Sequence, residues 1–255
     1  MTDKMIQWPR AAYWDKAWNP IVGCKPASPA CENCYARAMA RRFKMRGCDT
    51  FAPTPTTRER PPRRGVVFCG NMTDLFGEWL DRYTARDVIE QTIDVSSEKN
   101  AYLYLTKRVE RMCDALLPSD ANEARLRNHY FGFTAENLEW YNKRIDVWRE
   151  KFPLGVNGWL SVEPLLGPID LFLNDKEIRE RIKWIVVGCE SGPNRRPCPL
   201  VWIECIVKQA VAYDIPVFVK QIEIGGKCVR DIEKFPKHLR IRQVPWQIAE
   251  KEKAK

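Results

Sequence analysis

Three cysteines near the amino terminus have the residue type and spacing of soft metal ligands. Cys24, Cys31 and Cys34 form a C-x6-C-x2-C pattern, and a run with helical spacing follows at once from Tyr35. Thiolates bind both zinc and iron–sulfur clusters. Three thiolates leave one iron of a [4Fe-4S] cluster open to a small molecule, whereas ferredoxin sites supply four. The pattern therefore predicts a metal centre, and an open iron would make it a catalytic one.

Zinc is the competing interpretation of the same loop. A tetrahedral zinc site needs a fourth ligand, for which the chain offers Cys48, Cys69 or Cys189. The two histidines, His129 and His238, lie far from the loop in sequence and outside any ligand spacing. The residues of the loop alone leave a cluster and a zinc ion both open.

Polar residues that follow apolar runs are the next candidates for chemistry. In a parallel α/β protein the carboxyl ends of the strands meet at one edge, where binding sites are built. We therefore expect a shared pocket there, although side chains such as Asn71, Ser191 and Thr134 could instead cap the following helices. The candidates at this edge are Asn71, Asp74, Lys107, Glu163, Gly188, Glu190, Ser191 and Lys220.

The elements that must position these residues alternate between strand and helix. Short runs rich in Val, Ile, Phe and Tyr predict strands, and charged segments with helical spacing lie between them, at residues 81–95, 137–151 and 199–213. This order predicts an α/β fold of six or seven units, as a complete or partial (β/α) barrel, with an open doubly wound sheet as the alternative. The strands are expected at residues 18–22, 66–69, 101–105, 130–133, 159–162, 184–187 and 215–219.

Length, charge and hydropathy limit the class of protein. The 255 residues, 45% of them hydrophobic, suit a single domain over residues 1–255. The formal net charge of +9 favours an anionic partner. The amino-terminal residues lack the pattern of a signal peptide, and the apolar runs are too short to span a membrane. We expect a soluble cytoplasmic protein with reduced thiols and a frayed charged tail at residues 250–255.

Two basic segments are candidates for contacts with phosphate. The proline-rich loop at residues 53–64 is expected to lack regular structure and to carry solvated arginines, namely Arg58, Arg60, Arg63 and Arg64. Arg195 and Arg196 lie on a second loop bounded by Pro and Gly, a suitable shape for gripping a phosphate. The aromatic residues before Cys24 could stack on bases, but core packing is their commoner role: Trp8, Tyr13, Trp14 and Trp18.

The chain resembles the phage-associated three-Cys-motif proteins, a radical-SAM-like family, over nearly its whole length. The resemblance implies a radical S-adenosylmethionine (SAM) barrel in which Cys24, Cys31 and Cys34 hold a [4Fe-4S] cluster, with Tyr35 directly after them. It rests on AWNPIVGC, SPACENCYA, VFCGNMTDLFGEW, YLYLTKRVERM, YFGFTAENLEWYNKRI, LSVEPLLGPIDL, WIVVGCESGPNRRPCP and VFVKQ. The common radical SAM spacing is C-x3-C-x2-C, so the first gap is three residues longer here.

The resemblance also suggests roles for the residues at the strand ends. Glu163 and Glu190 are candidates for the amino group or ribose hydroxyls of SAM, and Gly188 allows close approach of the cofactor. Lys107 and Lys220 could neutralise a carboxylate or phosphate, or pair with the two glutamates. Asn71, Asp74 and Ser191 complete the expected cofactor pocket.

The preferred functional hypothesis is modification or isomerisation of a nucleobase adduct, an amino-acid-substituted thymidine in phage DNA, as in thymidine hypermodification that protects against host restriction. It implies DNA, an external electron donor and other base-modifying enzymes as partners, in the host cytoplasm if a phage encodes the protein. Action on tRNA, a free nucleotide or a small molecule is one alternative. A non-catalytic zinc protein that binds nucleic acid is the other.

Overall fold

A curled sheet of eight strands forms the centre of the protein. The computed structural model describes residues 6–44, 52–55, 60–116 and 123–246. The strands are β1 (Ile6–Gln7), β2 (Lys16–Trp18), β3 (Ile21–Val22), β4 (Thr54–Pro55), β5 (Gly65–Cys69), β6 (Asn100–Thr106), β7 (His129–Thr134), β8 (Asn157–Val162), β9 (Ile182–Gly188), β10 (Val217–Ile224), β11 (Lys227–Val229) and β12 (Gln243–Val244). The helices are α1 (Tyr35–Arg42), α2 (Arg82–Ile93), α3 (Val109–Ala115), α4 (Glu123–Leu126), α5 (Leu138–Lys151), α6 (Lys176–Arg181) and α7 (Leu200–Ala212).

Strand order in the main sheet follows chain order. The sheet reads β11-β10-β9-β8-β7-β6-β5-β2, and every pair from β2 to β10 is parallel. Only the hairpin partner β11 is antiparallel. Such sequential parallel pairing requires crossovers, and helices α2 to α7 lie in them. The expected alternation of strand and helix is confirmed.

The first strand differs from the expectation. A single strand at residues 18–22 was expected, but β2 ends at Trp18 and pairs with β5, while β3 pairs with β4 in a separate two-stranded sheet. Pro20 lies between them, and proline has no N–H to continue a ladder. The proline-rich loop is likewise not wholly irregular, because its residues Thr54 and Pro55 form β4. Residues 56–59 and the tail 250–255 lie outside the described residues.

The two faces of the sheet are covered differently. The outer face packs on the helices, through residues such as Val67, Tyr104 and Leu160 on the strands. The inner face carries the alternate residues of the same strands and packs on Tyr13 and Trp246 from the chain ends. None of the described residues in this inner cluster belongs to a helix. The doubly wound alternative is therefore wrong, because that fold has helices on both faces.

Tyr13 shows how strongly the sheet curls. Its ring lies 6.3 Å from Phe68 of β5, 5.9 Å from Trp159 of β8 and 5.2 Å from Trp184 of β9. It also lies 5.6 Å from Phe218 of β10. A flat sheet could not bring four such strands to one ring, since neighbouring strands are about 4.8 Å apart. The fold is a half-barrel whose interior is filled by aromatic side chains. The prediction that Tyr13 packs in the core is confirmed.

The helices that the sequence predicted begin and end within two residues of their predicted positions. Asp81 begins α2 by accepting a hydrogen bond from the Thr84 amide at 2.8 Å, and Asn137 begins α5 by accepting one from Trp140 at 3.0 Å. These side chains satisfy amides that a helix leaves free at its first turn. Within the described ranges, each helix is too short or too polar to span a membrane.

Candidate functional site

The carboxyl edge of the sheet collects the residues that the sequence placed at strand ends. Because the strands are parallel and in chain order, the segments that follow them all emerge at one edge. Asn71, Ser191 and Thr134 were expected as possible helix caps. At each α-helix whose N-cap residue the structure describes, a different residue holds that position. The edge holds Asn71 and Asp74 after β5, Lys107 after β6, Glu163 after β8, Gly188, Glu190 and Ser191 at the end of β9, and Lys220 within β10.

The three-cysteine loop lies across this edge between β3 and α1. Cys24 follows Gly23, which has a φ of 100° and whose Cβ, if present, would lie 2.1 Å from the Ala52 carbonyl oxygen. Only glycine therefore allows the chain to enter the loop here. Cys31 ends a short 3-10 helix that begins at Pro29, and Cys34 lies directly before α1.

All three thiols are free and half-buried. Cys24 and Cys34 pack against a small cluster formed by Ala36, Ala40 and Met72. Burial raises the pKa of the Cys24 thiol to about 12, with a further contribution from the Asp74 carboxylate and opposition from Arg108. In the described ranges, no three His, Cys, Asp or Glu side chains are already grouped as metal ligands.

Both ends of the loop are held by the segments that follow β5 and β6. The Thr73 hydroxyl donates to the Gly23 carbonyl at 2.6 Å, and the Tyr35 hydroxyl donates to the Asn71 carbonyl at 2.7 Å. The Arg108 guanidinium donates to the Lys25 carbonyl at 3.3 Å. These contacts fix both flanks of the cysteines to the sheet.

The middle of the loop is held by the segment after β9. Asn33, which lies between Cys31 and Cys34, donates to a Glu190 oxygen at 3.0 Å and to the Asn194 carbonyl at 2.8 Å. Arg196 pairs with Glu32 at 3.1 Å. The loop thus spans the edge from β5 to β9. The sequence analysis did not single out Asn33, although a polar residue inside a C-x2-C pair was a usable signal.

Asp74 organises the junction between β5 and β6. Its buried carboxylate accepts hydrogen bonds from the Thr106 hydroxyl at 2.7 Å, from the amides of Phe76 and Lys107 at 3.1 Å, and from Arg108 at 3.1 Å. A carboxylate with four donors within the protein has little capacity left for a ligand. Its role in the described structure is to position the segment after β6.

Glu163 and Lys220 form an ion pair at the mouth of the half-barrel. The Lys220 ammonium lies 2.7 Å and 2.9 Å from the two Glu163 oxygens, and Gln221 donates to Glu163 at 3.3 Å. The ammonium also lies 5.6 Å from the Tyr13 ring and 5.3 Å from the Trp14 ring. Of the two roles that the sequence left open for Lys220, pairing with a glutamate is the one observed.

Glu190 is engaged by Arg196 as well as by Asn33. Burial raises its pKa, but hydrogen bonds from Arg196 and Asn33 outweigh that effect, and the net pKa is below the usual value.

Within the described residues, the Lys107 ammonium has no ion pair and the half-buried Ser191 hydroxyl has no hydrogen bond. Lys107 and Ser191 are therefore two groups at this edge with free capacity for a ligand.

The basic residues divide between the two edges of the sheet. Arg60, Arg63 and Arg64 are exposed but precede β5, so they lie at the amino edge, opposite the cysteine loop. Arg58 lies outside the described residues. Arg195 and Arg196 follow β9 at the cysteine edge, and the Arg195 Nε atom is buried without a hydrogen-bond partner among the described residues. Of the described arginines in the two basic segments, Arg195 and Arg196 are the ones that lie at the candidate site.

Comparison with known proteins identifies the family. A family model described as "Protein of unknown function (DUF5131)" matches residues 8–244. The chain belongs to the DUF5131 family. No curated protein and no solved structure matches it. The DUF5131 match covers the cysteine loop and every strand-end residue described above, so the candidate site lies within the family domain.

Proposed function

We propose that this DUF5131 protein is a radical SAM enzyme. The observation that supports it is the position of the three cysteines: a loop carrying Cys24, Cys31 and Cys34 crosses the carboxyl edge of a curled parallel sheet and is tied to it at both ends. In (β/α) barrels that edge is where catalytic groups are assembled. The resemblance to three-Cys-motif radical-SAM-like proteins points to the same chemistry.

The donor set fits a [4Fe-4S] cluster better than a zinc ion. Three half-buried thiols on one loop match a cluster with one open iron. Two of the possible fourth zinc ligands, Cys69 and Cys189, are buried in the core that the sheet forms with the outer helices, whereas the three loop thiols are half-buried. Cys48 lies outside the described residues.

A bound cluster supplies the electron that cleaves SAM reductively. The residues of the chain hold and orient the cofactor in this proposal. The Lys107 ammonium and the Ser191 hydroxyl are two polar groups with free capacity at the edge, and we assign them to the carboxylate or ribose of SAM. A Cβ at Gly188 would lie 3.2 Å from the Gln221 Cγ, so the missing side chain at this position allows close packing against Gln221.

The proposed substrate is a nucleobase adduct, an amino-acid-substituted thymidine in phage DNA. The net charge of +9 favours a polyanion. Helix α1, which follows Cys34 directly, carries Arg37, Arg41 and Arg42 and no acidic residue. Together with the segment that holds Arg195, it offers cations at the edge where a flipped base would have to enter. We therefore place the DNA contact there and not at Arg60 to Arg64.

The test is spectroscopic. The protein is purified without oxygen, reconstituted with iron and sulfide, reduced, and examined by absorbance and electron paramagnetic resonance with and without SAM. We expect a brown protein with a reduced-cluster signal that changes when SAM is added. Cys31→Ala should lose the signal, whereas Cys205→Ala, which removes an exposed thiol on α7, should keep it.

Other outcomes separate the alternatives. A colourless protein that retains one zinc ion and shows no response to SAM would refute the radical SAM proposal and support a zinc-dependent binding protein. A SAM-responsive cluster together with DNA binding that is insensitive to salt, and unchanged in an Arg41→Glu/Arg42→Glu variant, would instead favour tRNA, a free nucleotide or a small molecule as substrate.

A further inference from the structure

Helix α1 presents an exposed apolar stripe beside the three-cysteine loop. The helix begins directly after Cys34. Tyr35, Met39 and Phe43 follow one another at intervals of four residues, which places them along one side of the helix. Met39 is 41% exposed and Phe43 is 62% exposed. Neighbouring exposed apolar groups mark interaction surfaces, whereas single ones do not, so the stripe is a candidate binding surface.

A different side of α1 attaches the helix to the rest of the protein. Ala36 and Ala40, one helical turn apart, are buried and pack against Met72. The Tyr35 hydroxyl donates to the Asn71 carbonyl at 2.7 Å, which fixes the start of the stripe. The helix is therefore held in place through its alanines and Tyr35, while the far end of the stripe faces solvent.

Positive charge accompanies the apolar stripe. The same helix carries Arg37, Arg41 and Arg42, and residues 35–44 include no acidic side chain. Arg41 and Arg42 are exposed, and the Arg42 guanidinium lies 5.7 Å from the centre of the Phe43 ring. A surface that combines cations with an aromatic face is complementary to a polymer that has both phosphates and accessible base faces.

We propose that α1 binds single-stranded DNA, with unpaired bases on the apolar stripe and phosphates on the arginines. Proteins bind single strands by combining a basic groove with side chains on which bases stack. An intact duplex hides its base faces, so it would engage the arginines and leave the stripe exposed to water. This assignment rests on the DNA substrate proposed above, and it adds the state of that DNA: the strand is already unpaired around the target base.

The length of the stripe sets the number of bases that it can hold. Tyr35 and Phe43 are eight residues apart, which corresponds to about 12 Å along a helix. Stacked bases of one strand are spaced by about 3.4 Å, so the stripe accommodates about three nucleotides. The Tyr35 end adjoins Cys34, so the target base enters there and the flanking nucleotides on one side lie over Met39 and Phe43.

A second aromatic side chain provides the matched control. Tyr83 lies on α2, is exposed to about the same extent as Phe43, and its ring centre lies 5.1 Å from the Arg82 guanidinium. It is therefore a comparable pair of an exposed ring and an arginine, but on a different helix. Binding that any exposed ring beside a cation could support would depend on Tyr83 as much as on Phe43.

The test uses the full chain and fluorescence anisotropy with a labelled DNA strand of about 20 nucleotides, alone or in a duplex. We expect the single strand to bind about tenfold more tightly than the duplex, because only the single strand gains stacking. Phe43→Ala should weaken binding of the single strand about tenfold and barely affect the duplex, whereas Phe43→Trp should keep the preference. Tyr83→Ala should leave both affinities unchanged, and Arg41→Glu/Arg42→Glu should weaken both.

Several results would overturn the assignment of α1 to single-stranded DNA. They are equal affinity for strand and duplex, equal losses in Phe43→Ala and Tyr83→Ala, and tighter binding of an RNA strand of the same sequence. A dimer of the chain that Phe43→Ala dissociates in size-exclusion chromatography would assign the stripe to a second copy instead. If Phe43→Ala fails to fold, the affinities of the wild-type protein and of Met39→Gln for strand and duplex decide the question.

The same measurements separate this assignment from the radical SAM proposal. A SAM-responsive cluster in a protein without preference for the single strand would refute the role of α1 and leave the enzyme proposal standing. A protein that lacks a cluster but shows the preference and its dependence on Phe43 would support the role of α1 and refute the radical SAM proposal.

Discussion

Replacing Arg144 with alanine should destabilise the protein more than replacing an exposed residue on its surface. Arg144 lies on α5, is 4% exposed, and contacts the fully buried Glu136 at 2.5 Å. It also donates to the Thr134 carbonyl at 2.6 Å and to the Lys107 carbonyl at 3.3 Å. Arg144 therefore joins the ends of β6 and β7 beneath the candidate site.

The expected magnitude follows from what the substitution leaves behind. Arg144→Ala leaves the Glu136 carboxylate buried without its cation and removes a donor from two carbonyls. Removing one partner of a buried ion pair costs about 3–5 kcal/mol, and we expect a loss of about 4 kcal/mol in the free energy of unfolding. The double variant Arg144→Met/Glu136→Leu removes both charges and should cost no more than about 2 kcal/mol.

Urea denaturation followed by circular dichroism measures these changes. A matched control lies on the same helix: Lys143 pairs with Glu139 at 2.6 Å, but the two side chains are 55% and 64% exposed. Lys143→Ala should therefore change stability by less than about 0.5 kcal/mol. A loss below about 1.5 kcal/mol in Arg144→Ala, or a double variant as unstable as the sum of its singles, would refute the reasoning.

Three further predictions concern the candidate site. Asn33→Ala removes two hydrogen bonds, each worth about 1 kcal/mol, and should speed loss of a reconstituted cluster, measured by absorbance decay. The lowered pKa of Glu190 means that its stabilising effect is present above pH about 4.3 and is lost as the pH falls through the lower folded value. The stability difference between wild type and Glu190→Gln should accordingly vanish in acid, and a constant difference would contradict this. Lys220→Ala leaves Glu163 unpaired and should weaken SAM binding in titrations more than Lys227→Ala, an exposed lysine of β11.

The order of strands and helices could be predicted because it depends on local sequence. Runs such as residues 66–69 are apolar at every position, as expected of strands buried on both faces, and Asp81 and Asn137 signal helix starts. Small elements were not singled out, for example α3 and β11, because a few residues carry too little periodicity. The early strand was misplaced because Pro20 divides it between two sheets.

The positions of the site residues were predictable, but their partners were not. Parallel order alone brings Glu163, Glu190 and Lys220 to one edge. Whether Lys220 faces a ligand or Glu163, and whether Glu190 holds a ligand or the cysteine loop, depends on distances between segments far apart in sequence. The same holds for Arg60 and Arg64, which are close to the cysteines along the chain but precede a strand and lie at the opposite edge.

The amino-acid sequence by itself determined the alternation of strands and helices, the carboxyl edge as the meeting point of polar residues, and the three cysteines as its metal-ligand candidates. Hydrophobic periodicity, helix caps and ligand spacing each involve only a few neighbouring residues. They can therefore be recognised in a single amino-acid sequence. The tertiary structure decided that the sheet stays a half-barrel filled by Tyr13, and that Asn33 and Arg196 hold the loop. Such contacts depend on how far the sheet curls, a property of all its strands together.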